Sequence, residues 1–163
     1  MIRRLKHRTG FSLTEMIITT LLVVFIFGAL HSSFLGGNST WQTYNGKVKT
    51  QGDARNALLF MTKELRPGSG ITVTQNTSSA TVNFVRENGG AASFSWSNSG
   101  GTANQIVFQT QATSRIIANN ISALSFTYND VEPKWIIVTL TATKQMPRGN
   151  IASFSLKEKV TLR

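Results

Sequence analysis

The distribution of apolar and polar residues divides the chain into three parts, of which the first is the most apolar. From Phe11 to Leu35 nearly every position is apolar or small, and Glu15 is the only formally charged residue. These 25 positions are enough to cross a hydrocarbon core of about 30 Å as a helix. The basic segment 1–10 in front of the run is expected to stay in the cytoplasm, so that everything after Leu35 is exported.

Between Gly36 and Arg66 the residues of one face recur at spacings of three and four, which is the period of an amphipathic helix. We expect this stripe to pack against the rest of the domain as ordinary core. Pro67 and Gly68 predict the end of the helix. Glycines inside it each cost about 1 kcal/mol relative to alanine, which makes Gly36 a predicted weak point. The stripe consists of Trp41, Tyr44, Val48, Gln51, Arg55, Leu58, Thr62 and Leu65, flanked by Ala54, Ala57 and Met61.

Alternation of apolar and polar residues replaces the helical period in residues 71–163, which is typical of half-buried strands. Residues 87–90 and 98–101 have the composition of hairpin turns. We therefore predict the α+β class, with a long N-terminal helix packed on an antiparallel β-sheet domain. Glu158 lies on the apolar face of the last strand, and we expect it at a sheet edge or paired with a cation such as Arg86. The predicted strands are centred on Val82, Phe94, Ile106, Phe126, Val138 and Leu156.

The residues around the start of the apolar run carry a more specific signal. The string Thr9-Gly10-Phe11-Ser12-Leu13-Thr14-Glu15 follows a short basic segment. It resembles the processing site of type IV prepilins and type II secretion pseudopilins. An ordinary secretory signal would instead need small residues at a cleavage site beyond the run. The residues near Leu30 and His31 fit that spacing poorly.

The resemblance implies roles for three residues. A membrane prepilin peptidase is expected to cut between Gly10 and Phe11 and to N-methylate Phe11. Glu15 matches the glutamate of the family that pairs with the terminal amine of a neighbouring subunit. Such pairing has a physical reason, since a carboxylate in an apolar segment costs several kcal/mol without a partner. The alternative is that Glu15 lies in the headgroup region at the end of a membrane helix.

The resemblance also implies a division of the chain and a function. We expect a cleaved leader (1–10), a transmembrane and filament-core helix (11–35), an amphipathic stem helix (36–66) and an exported β-sheet domain (71–163). The function implied is that of a minor pilin or pseudopilin in a type IV pilus or type II secretion pseudopilus. Residues 53–66 resemble the corresponding helix of the J-type minor pseudopilin, and residues 120–128, 136–140 and 160–163 resemble its later segments. Such a subunit would cross the bacterial inner membrane once, with its N-terminus in the cytoplasm.

The same resemblance names the partners that such a subunit needs. We expect the prepilin peptidase, other pilin or pseudopilin subunits, an assembly platform membrane protein and membrane lipid. Which machine the subunit serves stays open. The alternative function is that of a DNA-binding or adhesive pilin in a competence-type filament.

The composition narrows the chemistry of the exported part. The chain has no cysteine, and its two histidines are His7 and His31. Disulfides, thiolate metal sites, cysteine nucleophiles and histidine triads are therefore excluded after residue 35. We expect no catalytic residue, no cofactor and no enzymatic activity. Asp130 and Glu132 share one loop and could help to ligate calcium; the alternative is a solvated turn.

The net charge is the least specific of these signals. The formal value is +10. Loss of the four leader cations leaves 13 Lys and Arg against 7 Asp and Glu, a formal charge of +6. This charge suits a membrane surface, a nucleic acid or an acidic partner. We favour a solvated or intersubunit surface over nucleic acid, because Trp41, Trp96 and Trp135 do not interleave with the cations of the sequence.

Overall fold

The computed structural model describes residues 12–146, 149 and 151–162. The chain divides into two compact units, one within residues 1–42 and one within residues 43–163. Helix α1 begins in the first unit and ends in the second. The elements are α1 (Leu13–Leu65), β1 (Ser69–Gln75), β2 (Ser79–Val85), β3 (Ala91–Ser97), β4 (Gln105–Thr110), β5 (Ser114–Ala118), β6 (Ile121–Asn129), β7 (Trp135–Gln145) and β8 (Ile151–Thr161).

The strands form two antiparallel sheets, which confirms the α+β class but replaces the single predicted sheet by two. One sheet has the order β1-β2-β3-β4-β5 and the other the order β6-β7-β8. The predicted turn between β2 and β3 is present, with the Arg86 amide donating to the Gly90 carbonyl at 2.9 Å. Gly89 there has φ +78°, a conformation that favours glycine. The second predicted turn opens a longer loop between β3 and β4.

Hydrogen bonds join the two sheets where strands of both approach. The backbone amide of Phe126 in β6 donates to the side-chain carbonyl of Gln75 in β1 at 3.0 Å. The indole nitrogen of Trp96 in β3 donates to the Ile121 carbonyl in β6 at 2.9 Å. Each bond satisfies a polar group at the seam that would otherwise be buried without a partner. The seam is therefore fixed by side chains as well as by apolar packing.

The core of the second unit lies between the last part of α1 and the inner faces of the sheets. The helix contributes a buried face of Ala54, Ala57, Leu58, Met61 and Leu65. Phe94 of β3 lies in an aromatic cluster, with ring centroids 4.9 Å from Phe108, 5.5 Å from Phe84 and 6.0 Å from Phe60 of the helix. This cluster joins helix to sheet.

Helix α1 is continuous through Gly36, so the predicted weak point does not interrupt it. The helix ends at Leu65 as predicted, where the Gly68 amide donates to the Leu65 carbonyl at 2.9 Å. Gly46 has a packing role, since a Cβ at this position would lie 2.8 Å from the sulfur of the buried Met146. The absence of a side chain lets this turn of the helix approach Met146 closely.

The predicted packing stripe of the stem is wrong in its N-terminal half. Trp41, Tyr44 and Val48 are 64%, 64% and 53% exposed, whereas the C-terminal members Leu58 and Leu65 are buried. The reason is geometric. A stripe at spacings of three and four repeats every 3.5 residues and drifts by about 20° per heptad around a helix of 3.6 residues per turn. The residues that face the sheets lie on a line that runs straight along the helix. The drifting stripe therefore coincides with this line only at its C-terminal end.

The division into units predicts that a fragment beginning at Thr43 folds by itself. All buried apolar residues of the core lie between residues 54 and 160, and the fragment lacks the exposed apolar half of α1. We expect a β-rich circular dichroism spectrum and one cooperative thermal transition. A random-coil spectrum without a transition would contradict a self-contained core.

Candidate functional site

The N-terminal half of α1 is apolar on all sides. Among the described residues this is the one helix long and apolar enough to cross a membrane, and its most apolar 18-residue window has none of its residues buried. The 23 positions from 13 to 35 extend over about 34 Å at 1.5 Å per residue, which matches a hydrocarbon core. The exposed apolar side chains include Leu13, Met16, Ile17, Ile18, Leu21, Leu22, Val23, Val24, Phe25, Ile26, Phe27, Leu30, Phe34 and Leu35.

Two threonines inside this apolar half, Thr19 and Thr20, are satisfied within the helix. The hydroxyl of Thr20 donates to the Met16 carbonyl at 2.8 Å, and the hydroxyl of Thr19 donates to the Glu15 carbonyl. A hydroxyl bonded to its own helix does not need water or a partner helix. The segment therefore tolerates these polar residues inside lipid.

Glu15 lies in the first turn of α1. The helix starts where the Met16 amide donates to the Ser12 carbonyl at 3.1 Å. A carboxylate at this position is favoured by the partial positive charge of the helix N-terminus, and it is the only acidic side chain in residues 12–52. Gly10 and Phe11 lie outside the described residues, so cleavage, methylation and the pairing of Glu15 stay predictions.

An exposed face of the stem lies about a third of a turn around the helix from the residues that pack on the sheets. It consists of Tyr44, Val48, Gly52, Arg55 and Leu59, at spacings of four, four, three and four. We call it the exposed stem face. Val48 and Leu59 are each 53% exposed, and a Cβ at Gly52 would meet nothing within 4 Å. Apolar side chains around a glycine suit the close approach of another helix.

In the loop between β6 and β7, the acidic residue Asp130 contacts two neighbouring side chains. The hydroxyl of Tyr128 donates to Asp130 Oδ1 at 2.8 Å, and Lys134 Nζ lies 3.3 Å from the same oxygen. The Tyr128 hydrogen bond, and then Lys134, lower the pKa of Asp130 from its ordinary value. The same hydrogen bond raises the pKa of Tyr128. Asp130 Oδ1 thus already contacts a hydroxyl and a cation, an arrangement typical of the solvated turn that was the alternative to a calcium site with Glu132.

One ion pair connects the end of the helix to Arg86, the residue that follows β2. The guanidinium of Arg86 donates to Glu64 at 2.9 Å, so the suggested partner of Glu158 is engaged elsewhere. Glu158 instead lies on β8, an edge strand, which confirms the other expectation for it. A groove of about 460 Å³ surrounds the ion pair, lined by Lys63, Glu64, Pro67, Arg86, Glu87 and Asn88.

The groove gathers four charged side chains, Lys63, Glu64, Arg86 and Glu87, but no histidine. The two best-placed charged groups of the groove neutralise each other. No group of three or more His, Asp or Glu residues that could hold a metal ion occurs in the described parts of the chain.

The tryptophans have three different surroundings. Trp96 is buried and hydrogen-bonded at the seam between the sheets, whereas Trp41 is exposed on the helix. Trp135 lies under a cation, with Lys159 Nζ 4.9 Å from its ring centroid. This contact corrects the expectation that no tryptophan interleaves with the cations. The sequence could not show it, because the two residues belong to neighbouring strands.

The described residues form a single long helix that is apolar in its first half and packs with its last part on antiparallel sheets. Such an architecture is consistent with a pilin-like protein that crosses a membrane once. Searches of protein-family models, of curated proteins and of solved structures gave no match to this chain.

Proposed function

We propose that the chain is a structural subunit of the pilin or pseudopilin kind, which is held in a membrane and then assembled into a filament through helix α1. The observation that carries this proposal is the continuous helix Leu13–Leu65. Its first half is apolar all round and contains one carboxylate, whereas its last part is anchored to a folded β domain. In this proposal the protein acts by assembly and not by catalysis.

The energetics of the helix support two successive environments. A buried leucine, isoleucine or phenylalanine side chain is worth about 1.5–3 kcal/mol relative to exposure in water, so the apolar half of α1 is not stable in water. In the membrane, lipid first surrounds the apolar side chains of this half. A bundle of equivalent helices from neighbouring subunits satisfies it equally well, because the side chains again lie among apolar groups. Extraction from the membrane is then feasible only together with assembly.

In this bundle, Glu15 would set the axial position of each helix relative to its neighbours. Prepilin peptidase would cut between Gly10 and Phe11 and methylate Phe11, which leaves a terminal amine four residues before Glu15. A carboxylate and an amine from adjacent subunits would neutralise each other in a medium of low dielectric constant, where an unpaired charge is costly. The minor pilin or pseudopilin role, with the assembly platform protein and other subunits as partners, is what the resemblance of residues 9–15 implies, and this chemistry is compatible with it.

The exposed stem face extends the assembly surface beyond the membrane half. Tyr44, Val48 and Leu59 leave apolar surface in water on the side of the helix that the sheets do not cover. Gly52 between them permits close approach of a second backbone. In the proposed filament this face contacts the helix of a neighbouring subunit.

A cysteine crosslink tests assembly at this face, because the chain has no cysteine of its own. We expect Val48→Cys, labelled at its single thiol with a benzophenone reagent in membranes of cells that carry the complete machine, to form species larger than the monomer on irradiation. The benzophenone would lie on the surface that faces neighbouring helices and would insert into a C–H bond of the neighbour, so the neighbour needs no cysteine. Denaturing electrophoresis with detection of this chain measures the crosslinked fraction.

The matched control is Ala57→Cys on the same helix, since Ala57 is 1% exposed and faces the sheets. This variant should remain monomeric under the same labelling and irradiation. Equal, low crosslinking of both variants in the presence of the machine would argue against assembly through the exposed stem face.

A further inference from the structure

Strand β8 forms one edge of the three-stranded sheet and is as long as β7, with which it pairs from Ile151 to Thr161. No other strand of the described residues pairs with its outer side. An unpaired edge presents backbone donors and acceptors that can add a further strand. An edge of 11 residues is long compared with the two edges of the other sheet, β1 with seven residues and β5 with five.

The hydrogen-bond pattern shows which backbone groups of β8 point outward. The Leu162 amide donates to the Lys134 carbonyl at 3.0 Å, so even-numbered positions of this strand bond to β7. The Phe126 amide of β6 points away from β7, towards Gln75, and this fixes the same alternation across the sheet. Odd-numbered positions therefore direct their amide and carbonyl groups to the open side. These positions are Ile151, Ser153, Ser155, Lys157, Lys159 and Thr161, and all six are exposed.

The side chains at this edge select the charge of an incoming strand. Lys157 and Lys159 lie on the outer face, and Lys159 is held over the ring of Trp135. On the inner face Phe154 and Leu156 are only half-buried, because no strand lies beyond them. An added strand could cover this apolar surface with every second residue and face the lysines with the residues between.

We propose that the β8 edge binds an extended, acidic segment of a partner protein by strand addition. Backbone bonds to Ser153, Ser155 and Lys157 supply the affinity, as in other cases of strand addition. Carboxylates opposite Lys157 and Lys159 supply the selectivity. A second copy of this edge is a poorer occupant, because pairing would bring two lysine-bearing strands together, and lysines at an edge disfavour such self-association. The proposal does not rest on the function proposed above.

The binding test uses the full-length protein in a neutral detergent and two labelled peptides. One peptide is Val-Glu-Val-Glu-Val-Glu-Val and the other is Val-Lys-Val-Lys-Val-Lys-Val. We expect saturable binding of the acidic peptide in fluorescence anisotropy and none of the basic peptide. Binding should weaken as salt is added, because exposed charge pairs are screened.

Two variants separate strand addition from simple charge attraction. Ser155→Pro removes an outward amide but no bond to β7, a placement that edge strands accept. It should weaken binding of the acidic peptide at least about fivefold, whereas Ser155→Ala, which keeps the amide, should bind like the parent protein. The double variant Lys157→Glu, Lys159→Glu should bind the acidic peptide about tenfold or more weakly than the parent protein does. It should also bind the basic peptide, which the parent protein does not.

Amide hydrogen exchange gives a readout that does not depend on the proline variant folding. The acidic peptide should slow exchange at Ser153, Ser155 and Lys157, whose amides are open in the free protein. The proposal is overturned by absence of saturable binding, or by equal binding of Ser155→Pro and Ser155→Ala without added protection. It is also overturned if the protein dimerises through β8 and the peptide cannot compete.

Discussion

Replacement of Phe94 by alanine is expected to lower the free energy of unfolding of the β domain by about 3–5 kcal/mol. Phe94 is 0% exposed, and its ring lies between those of Phe84 and Phe108 while its edge meets Phe60 of the helix. Truncation therefore removes apolar burial and three aromatic contacts at once, and it leaves a cavity where helix and sheet meet. Domains of this size are stable by only about 5–15 kcal/mol.

Thermal melting of the full-length protein in neutral detergent measures this loss. A decrease in Tm of roughly 10–20 °C corresponds to the expected destabilisation for a domain of this length. The Tm of Phe94→Leu should lie between those of the parent protein and Phe94→Ala, because leucine keeps most of the side-chain volume but not the ring geometry. Ile116→Ala is the matched control on the same sheet: Ile116 is 51% exposed, and its truncation should cost no more than about 0.5 kcal/mol. Similar Tm values for Phe94→Ala and Ile116→Ala would show that the aromatic cluster does not hold helix and sheet together.

The position of Phe94 also shows why much of the fold was predictable from the sequence. Apolar residues at every second position, as at Phe94 and Trp96 or at Val138 and Leu140, place those side chains on one face of a strand whatever the tertiary structure. The structure confirms that these residues are buried. The edge strands β1 and β5 lacked this signal, because most of their side chains are exposed on both faces.

The stem helix was predictable in extent but not in orientation. Its end at Leu65 followed from Pro67 and Gly68, which are local signals. The sequence also contained apolar residues on two different faces, with Tyr44 and Val48 on one and Ala57 and Met61 on the other. The predicted stripe followed the first face and included Ala57 and Met61 only as flanking residues, and only the packed sheet shows which face is covered.

Contacts between distant segments were beyond the reach of the sequence. Arg86 pairs with Glu64 across 22 positions of the chain, and nothing local distinguishes that partner from Glu158. The open side of β8 likewise depends on the order of the strands in the sheet. In contrast, the candidate residues Gly10, Phe11 and Glu15 came entirely from a contiguous motif, so their prediction needed no tertiary structure.

Glu15→Ala is expected to leave membrane insertion intact and to abolish most incorporation into a filament or its priming complex. Insertion should be slightly more favourable, since a costly carboxylate has been removed from an apolar segment. Assembly should fall because the terminal amine of a neighbouring subunit loses its counter-charge in a medium of low dielectric constant. Glu15→Gln should be intermediate, as it keeps a hydrogen-bond acceptor but no charge. Co-purification with the other subunits measures incorporation.

Processing must be scored in the same samples, because a failure to cut would also prevent assembly. Mass spectrometry should find Phe11, in methylated form, as the N-terminus of both the parent protein and Glu15→Ala, since the peptidase is expected to read the leader and Gly10. Gly10→Glu is the matched contrast: it should stay uncut in the membrane, with Met1 retained. Loss of assembly with normal processing then isolates the charge pair at Glu15 from the cleavage step. If Glu15→Ala is fully processed and still assembles like the parent protein, the carboxylate of Glu15 has no counter-charge to satisfy, and the register of the helices must come from side-chain packing alone.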